Sequence, residues 1–124
     1  MKKYLSLALL LALVTTASAH AFVTAMPGFY DFGSLTKGSA SATTIWFQNM
    51  DNQSVNNFWV TCNDYTGEFD CFSSCFNLAP YSSCPVTVWF RPYRGDNSLV
   101  SMQVQGMGPG EFATSYVQGV DRAK

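Results

Sequence analysis

Along most of the chain, apolar and polar residues alternate with a period of two. Thr43, Ile45 and Phe47 interleave with Thr44, Trp46 and Gln48, and Val86, Val88 and Phe90 interleave with Thr87, Trp89 and Arg91. Successive side chains of an extended backbone point to opposite sides, so this pattern predicts strands with one buried face. Shorter runs of the same kind cover residues 29–32, 55–62, 68–72, 99–104 and 112–117. Turn-forming clusters separate them: Lys37-Gly38, Asp51-Asn52, Tyr65-Thr66-Gly67, Ala79-Pro80-Tyr81, Arg94-Gly95-Asp96-Asn97 and Gly106-Met107-Gly108-Pro109-Gly110. Beyond Ala19 no window keeps an apolar i, i+3, i+4, i+7 spacing over a helical length. About seven short strands predict an all-β chain, folded as a single immunoglobulin-like β-sandwich.

The beginning of the chain reads differently. Lys2 and Lys3 precede an apolar run at 5–14, and Thr15-Thr16-Ala17-Ser18-Ala19 supplies small residues at cleavage spacing. Ten apolar residues are too few to cross ~30 Å of hydrocarbon as a helix, so the segment reads as an export signal rather than an anchor. Residues 1–19 are therefore expected to be removed, leaving a short leader at 20–26, the sandwich at 27–121 and a tail at 122–124. The double lysine and short apolar core resemble bacterial signals, which points to the periplasm or the exterior.

Composition narrows the possible activities. The chain is 48% hydrophobic and only 12% charged, which excludes a disordered protein. Eight acids face seven bases, and two of those bases, Lys2 and Lys3, leave with the signal. A chain that is net acidic after export has little attraction for nucleic acid or an anionic membrane. Four cysteines, spaced C-x8-C-x3-C-x8-C, lie between residues 62 and 84. An even count in a small exported domain predicts two disulfides, with three pairings possible. Zinc is disfavoured, because no C-x2-C pair and no neighbouring histidine is present.

A family resemblance rests on several of these segments. Tyr30-Asp31-Phe32-Gly33, then Lys37-Gly38, then Ile45-x-Phe47-x-Asn49 resembles the opening of the bacterial choice-of-anchor D domains, relatives of the ASPM/SPD-2/hydin (ASH) domains. The middle is more specific. Cys75, Leu78-Ala79-Pro80, Cys84, the strand through Val86, Val88 and Phe90, and Pro92 are similar to that family's Cys, Leu-x-Pro-Gly, Cys, strand, Phe-x-Pro signature. Gly95 and Val117-Gln118-Gly119 fit its later glycine and closing strand. The resemblance spans roughly residues 27–121. Tyr81 departs from it at a turn glycine, Asp121 at a closing glycine, and Cys62 with Cys71 are additional. What it implies is an immunoglobulin-like scaffold used for adhesion or protein contact, with no shared active site. The turn at Leu78-Ala79-Pro80 brings Cys75 back towards Cys84, which favours the pairs Cys75–Cys84 and Cys62–Cys71. Each bridge closes about ten residues, worth roughly 2–3 kcal/mol in the chain-entropy account.

Catalysis finds little support. The only histidine, His20, sits beside the processing site, so serine or cysteine chemistry lacks its usual base. Glu68 and Asp70, two apart on a strand, are expected to share one face ~7 Å apart, but a solvated strand face explains them better than a glycosidase pair. Asp64 with Glu68 and Asp70 lacks calcium-loop spacing. A mature chain starting at His20 resembles copper monooxygenases, yet the second histidine of their brace is missing. No catalytic residue, metal or cofactor is assigned.

What remains is surface. With Ile45, Phe47, Val86, Val88 and Phe90 inward on neighbouring strands, Trp46 and Trp89 point outward together. They form a candidate contact face with Thr44, Gln48 and Arg91. Such a pair either shields the sheet or anchors a ligand. Trp59 is exposed if Phe58 and Val60 face inward, and is the core tryptophan of the sandwich in the opposite register; the core register is preferred. The leading expectation is an exported, non-enzymatic binding or structural module for a protein or cell-surface partner. The alternative is a small carbohydrate-binding module that stacks its outward tryptophans on polysaccharide.

Overall fold

A computed structural model describes residues 23–124. Residues 1–19, read as an export signal, and His20 lie outside the described residues. Eight strands follow in order: β1 (Val23–Met26), β2 (Phe29–Thr36), β3 (Ser41–Asn49), β4 (Trp59–Asn63), β5 (Phe69–Ser73), β6 (Ser83–Phe90), β7 (Ser98–Gly108) and β8 (Glu111–Arg122). They form two four-stranded sheets, β1-β3-β6-β5 and β2-β8-β7-β4. Pairing is antiparallel except between β2 and β8. The chain is an all-β sandwich.

The period of two decides which side of each strand is buried. Ile45 stands opposite Val86 and Thr43 opposite Val88. Ile45, Phe47, Val86, Val88 and Phe90 are inaccessible to solvent, and Val100, Met102, Val104 and Val117 meet them from the second sheet. Phe90 anchors an aromatic cluster, its ring centroid 5.0 Å from Phe69 and 5.6 Å from Phe32. Burying each such side chain stabilises the fold by ~1.5–3 kcal/mol. Buried Asn49 ends β3, its amide donating to the carbonyls of Gln53, Leu78 and Ala79 and its side-chain oxygen accepting from Asp51 N–H. That residue stitches the β3–β4 loop to the turn before β6.

Several expectations are corrected. Residues 23–26, read as leader, form β1 and pair with β3. The run at 55–62 is interrupted: Val55 makes an isolated bridge to Leu78, Asn57 takes a left-handed φ of 59°, and only then does β4 begin. The glycine cluster at 106–110 is mostly strand. Only Pro109-Gly110 turns, with Gly110 at φ 72°, as a proline followed by a positive-φ glycine demands. Gly106 is a strand residue because a Cβ there would lie 2.5 Å from Phe58 Cζ and 2.7 Å from Phe47 Cε1. The same glycine settles Trp59. Phe58 fills the space above Gly106 and is buried, its centroid 5.7 Å from Phe47, so Trp59 is turned outward and is not the core tryptophan.

Both expected disulfides are present. Cys62–Cys71 spans a Cα separation of 6.4 Å and joins β4 to β5, the edge strands of the two sheets. Cys75–Cys84 spans 5.8 Å and ties the segment after β5 to the start of β6.

Candidate functional site

β3 and β6 are adjacent, so their outward residues share a surface. Trp46 stands opposite Pro85, Thr44 opposite Thr87, Ala42 opposite Trp89 and Gln48 opposite Ser83. Trp46, Trp89, Thr44 and Gln48 therefore occupy one face, with Arg91 just past the end of β6. The two tryptophans are not neighbours, however. Four residues along the strands separate them, ~13 Å, with the Thr44–Thr87 pair between.

Their surroundings differ. Trp89 is half-buried under Arg91, whose guanidinium carbon lies 4.7 Å from the ring centroid. Asp70, opposite Trp89 on β5, holds Arg91 in place at 3.0 Å. Trp46 is open, 46% exposed, beside Met26 of β1 and Pro85 of β6 in the same cross-strand row. Phe72 of β5 stands exposed in the next row, opposite Thr87. Met50 and Tyr81 follow, also exposed, beyond the end of the same sheet. The open part of this face is thus a mixed aromatic and aliphatic surface centred on Trp46.

The acidic residues fall apart rather than together. Glu68 and Asp70 do not share a face, because Glu68 precedes β5 in a turn whose Thr66 hydroxyl accepts its N–H. Asp70 points outward. Glu68 is buried, its Oε1 accepting from the N–H groups of Tyr93 and Arg94 at 3.1 and 3.2 Å. Asp121, also buried, accepts from Arg94 N–H at 3.1 Å and Gly95 N–H at 2.9 Å. Burial, and then the adjacent Asp121 carboxyl, push the Glu68 carboxyl above its ordinary range. Asp64 is occupied by its own turn, accepting from Thr66 and Phe69. Among the described residues, no three His, Cys, Asp or Glu side chains gather as a metal set. Sequence reasoning missed this pair of acids; the one hint was Asp121 standing where the domains that the sequence resembles carry glycine.

Neither a family model nor a curated protein sequence matches the chain. PapD-like domain 7 of human CEP192 superposes with a TM-score of 0.61 at 13% identity, covering 82% of this chain and 86% of that one. The fold is that of an ASH/PapD-like domain. WR4, an MSP family member from C. elegans, superposes with a TM-score of 0.54 at 9% identity, over 82% of this chain and 99% of its own. The VesB protease of Vibrio cholerae matches with a TM-score of 0.60 at 16% identity over 88% of this chain, which spans 34% of the protease. At such identities the likeness is one of fold.

Proposed function

We propose that the protein is an exported, non-enzymatic binding module of the bacterial choice-of-anchor D type, which meets a protein partner of the envelope or cell surface through the outer face of β1-β3-β6-β5. The observation that carries this reading is the mixed apolar exposure around Trp46: Met26 at 58%, Phe72 at 66% and Pro85 beside them. An aromatic anchor amid aliphatic side chains, rimmed by Thr44, Gln48 and Arg91, has the make-up of a protein contact. It suits a sugar less well, since Arg91 covers Trp89 and no paired platform forms. Two disulfides support an oxidising, exported setting. The separation of Glu68 from Asp70 removes the one carboxylate pair the sequence offered for acid–base chemistry.

Photocrosslinking side chains at positions 46 and 72 test this in the native envelope, with position 99 on the second sheet as control. One discrete protein adduct is expected from both test positions and not from the control. Trp46→Ala is expected to abolish that adduct when the crosslinker sits at position 72, at a stability cost of ~1 kcal/mol or less. Phe47→Ala or Phe90→Ala should instead lose ~3–5 kcal/mol by opening a core cavity. Equal adducts from all three positions, or none, reject the reading.

A further inference from the structure

The outer face of the second sheet carries its own aromatic field. Trp59 on β4 stands opposite Met107 of β7, which stands opposite Phe112 of β8, so the three form one row. Trp59 is 47% exposed and Phe112 60%. Neighbouring strands lie ~4.8 Å apart, which sets these two rings ~10 Å from each other, close to the length of two linked pyranose rings. Four residues further along β8, ~13 Å away, Tyr116 stands exposed beside Phe29 of β2. Between the aromatic rows runs a polar one, Thr61, Gln105 and Thr114. Gln103 borders it and donates to the Tyr116 hydroxyl at 3.4 Å. None of these positions is charged. On this face the first charge is Asp31, in the following row opposite Gln118, and its carboxylate already accepts from Gly33 N–H at 2.8 Å; Glu111, next to Phe112 at the end of β8, has the opposite strand parity.

We propose that this face binds a neutral polysaccharide, with Trp59, Phe112 and Tyr116 stacking on sugar rings and the Gln105 carboxamide and Thr61 hydroxyl between them bonding to sugar hydroxyls. Charge argues first: an uncharged field offers no attraction to an acidic glycan, a nucleic acid or an anionic membrane. Area argues second. The stacking rings span ~10 Å across the strands and ~13 Å along them, an extent that a short glycan segment of two or three sugar rings covers. Rigid aromatic rings also present their area at low conformational cost. This inference does not rest on the protein-contact reading of the first sheet.

Affinity electrophoresis of the native protein tests it, in gels carrying hydroxyethyl cellulose, laminarin, dextran or galactomannan, with alginate as the acidic control. At least one neutral polysaccharide is expected to retard migration. Trp59→Ala and, separately, Phe112→Ala should each weaken that retardation tenfold or more, and Trp46→Ala should leave it unchanged. Thermal melts accompany each variant; should Trp59→Ala destabilise the fold, Phe112→Ala and Tyr116→Ala decide instead. Retardation by no neutral polysaccharide, retardation by alginate alone, or loss through Trp46→Ala in place of the second-sheet variants overturns the proposal.

Discussion

Glu68, in the turn before β5, and Asp121, on β8, reach the same loop, where between them they accept the backbone N–H groups of Tyr93, Arg94 and Gly95. No cation separates them, since the Arg94 guanidinium turns away to the Thr66 carbonyl at 2.6 Å. Burial first, and the neighbouring Asp121 carboxyl second, favour the neutral form of Glu68. The folded protein therefore holds a proton that the unfolded chain releases above about pH 4.5, the ordinary value for glutamate. This contribution to stability is complete below that pH and declines as pH rises towards the elevated folded value. Melting temperature followed from pH 4 to 9 should show this decline in the native chain and a flatter profile in Glu68→Gln, whose amide cannot ionise. Equal slopes in both proteins would place the proton elsewhere. Little of this was legible beforehand. Parity puts Glu68 and Asp70 on one face only if both lie on the strand, and a strand that starts one residue later, at Phe69, breaks the rule. Phe58 and Trp59 pose a similar problem, because two large apolar residues in succession satisfy either register. The residue that decides between them, Gly106, lies nearly fifty positions away.

At the scale of strands, alternation located β3 and β6 and faced them correctly, because each buries one full side against the core, while their pairing followed from the usual strand order of a sandwich. β1 escaped because its four residues, VTAM, are too few to show a period. The end of β7 escaped for a different reason. Glycine is read as a chain reverser, yet Gly106, like Gly119 in the closing strand, serves as clearance for rings. Gly119 faces Phe90, and a methyl group there would overlap the ring. Gly119→Ala is accordingly expected to destabilise by ~1–3 kcal/mol through overpacking. Gly28→Ala, where nothing lies within 4 Å of an added Cβ, should be nearly neutral. Denaturant titration of the two variants separates clearance from conformational freedom: equal losses would refute the packing account.

For the whole molecule, the two rims of the sandwich are closed in different ways. At one rim, β1 passes to β2 through only Pro27-Gly28; at the other, Cys62–Cys71 binds β4 to β5. Replacing Cys62 and Cys71 together by alanine should cost roughly 2–3 kcal/mol by the loop-entropy account, seen as a lower denaturation midpoint with the same slope. An unchanged midpoint would mean that the sheets hold their rim by packing alone. Both cysteine pairs, read from the sequence through a turn and a family likeness, have a further consequence. Each brackets an exposed turn: Cys62–Cys71 encloses the one bearing Tyr65, 93% exposed, and Cys75–Cys84 the one bearing Tyr81, 67% exposed. These projecting aromatics are natural targets for proteases. A cut at either turn leaves the two new ends tethered across a bridge and the strands on both sides still in register, so a nicked molecule keeps its shape and both of its outer faces.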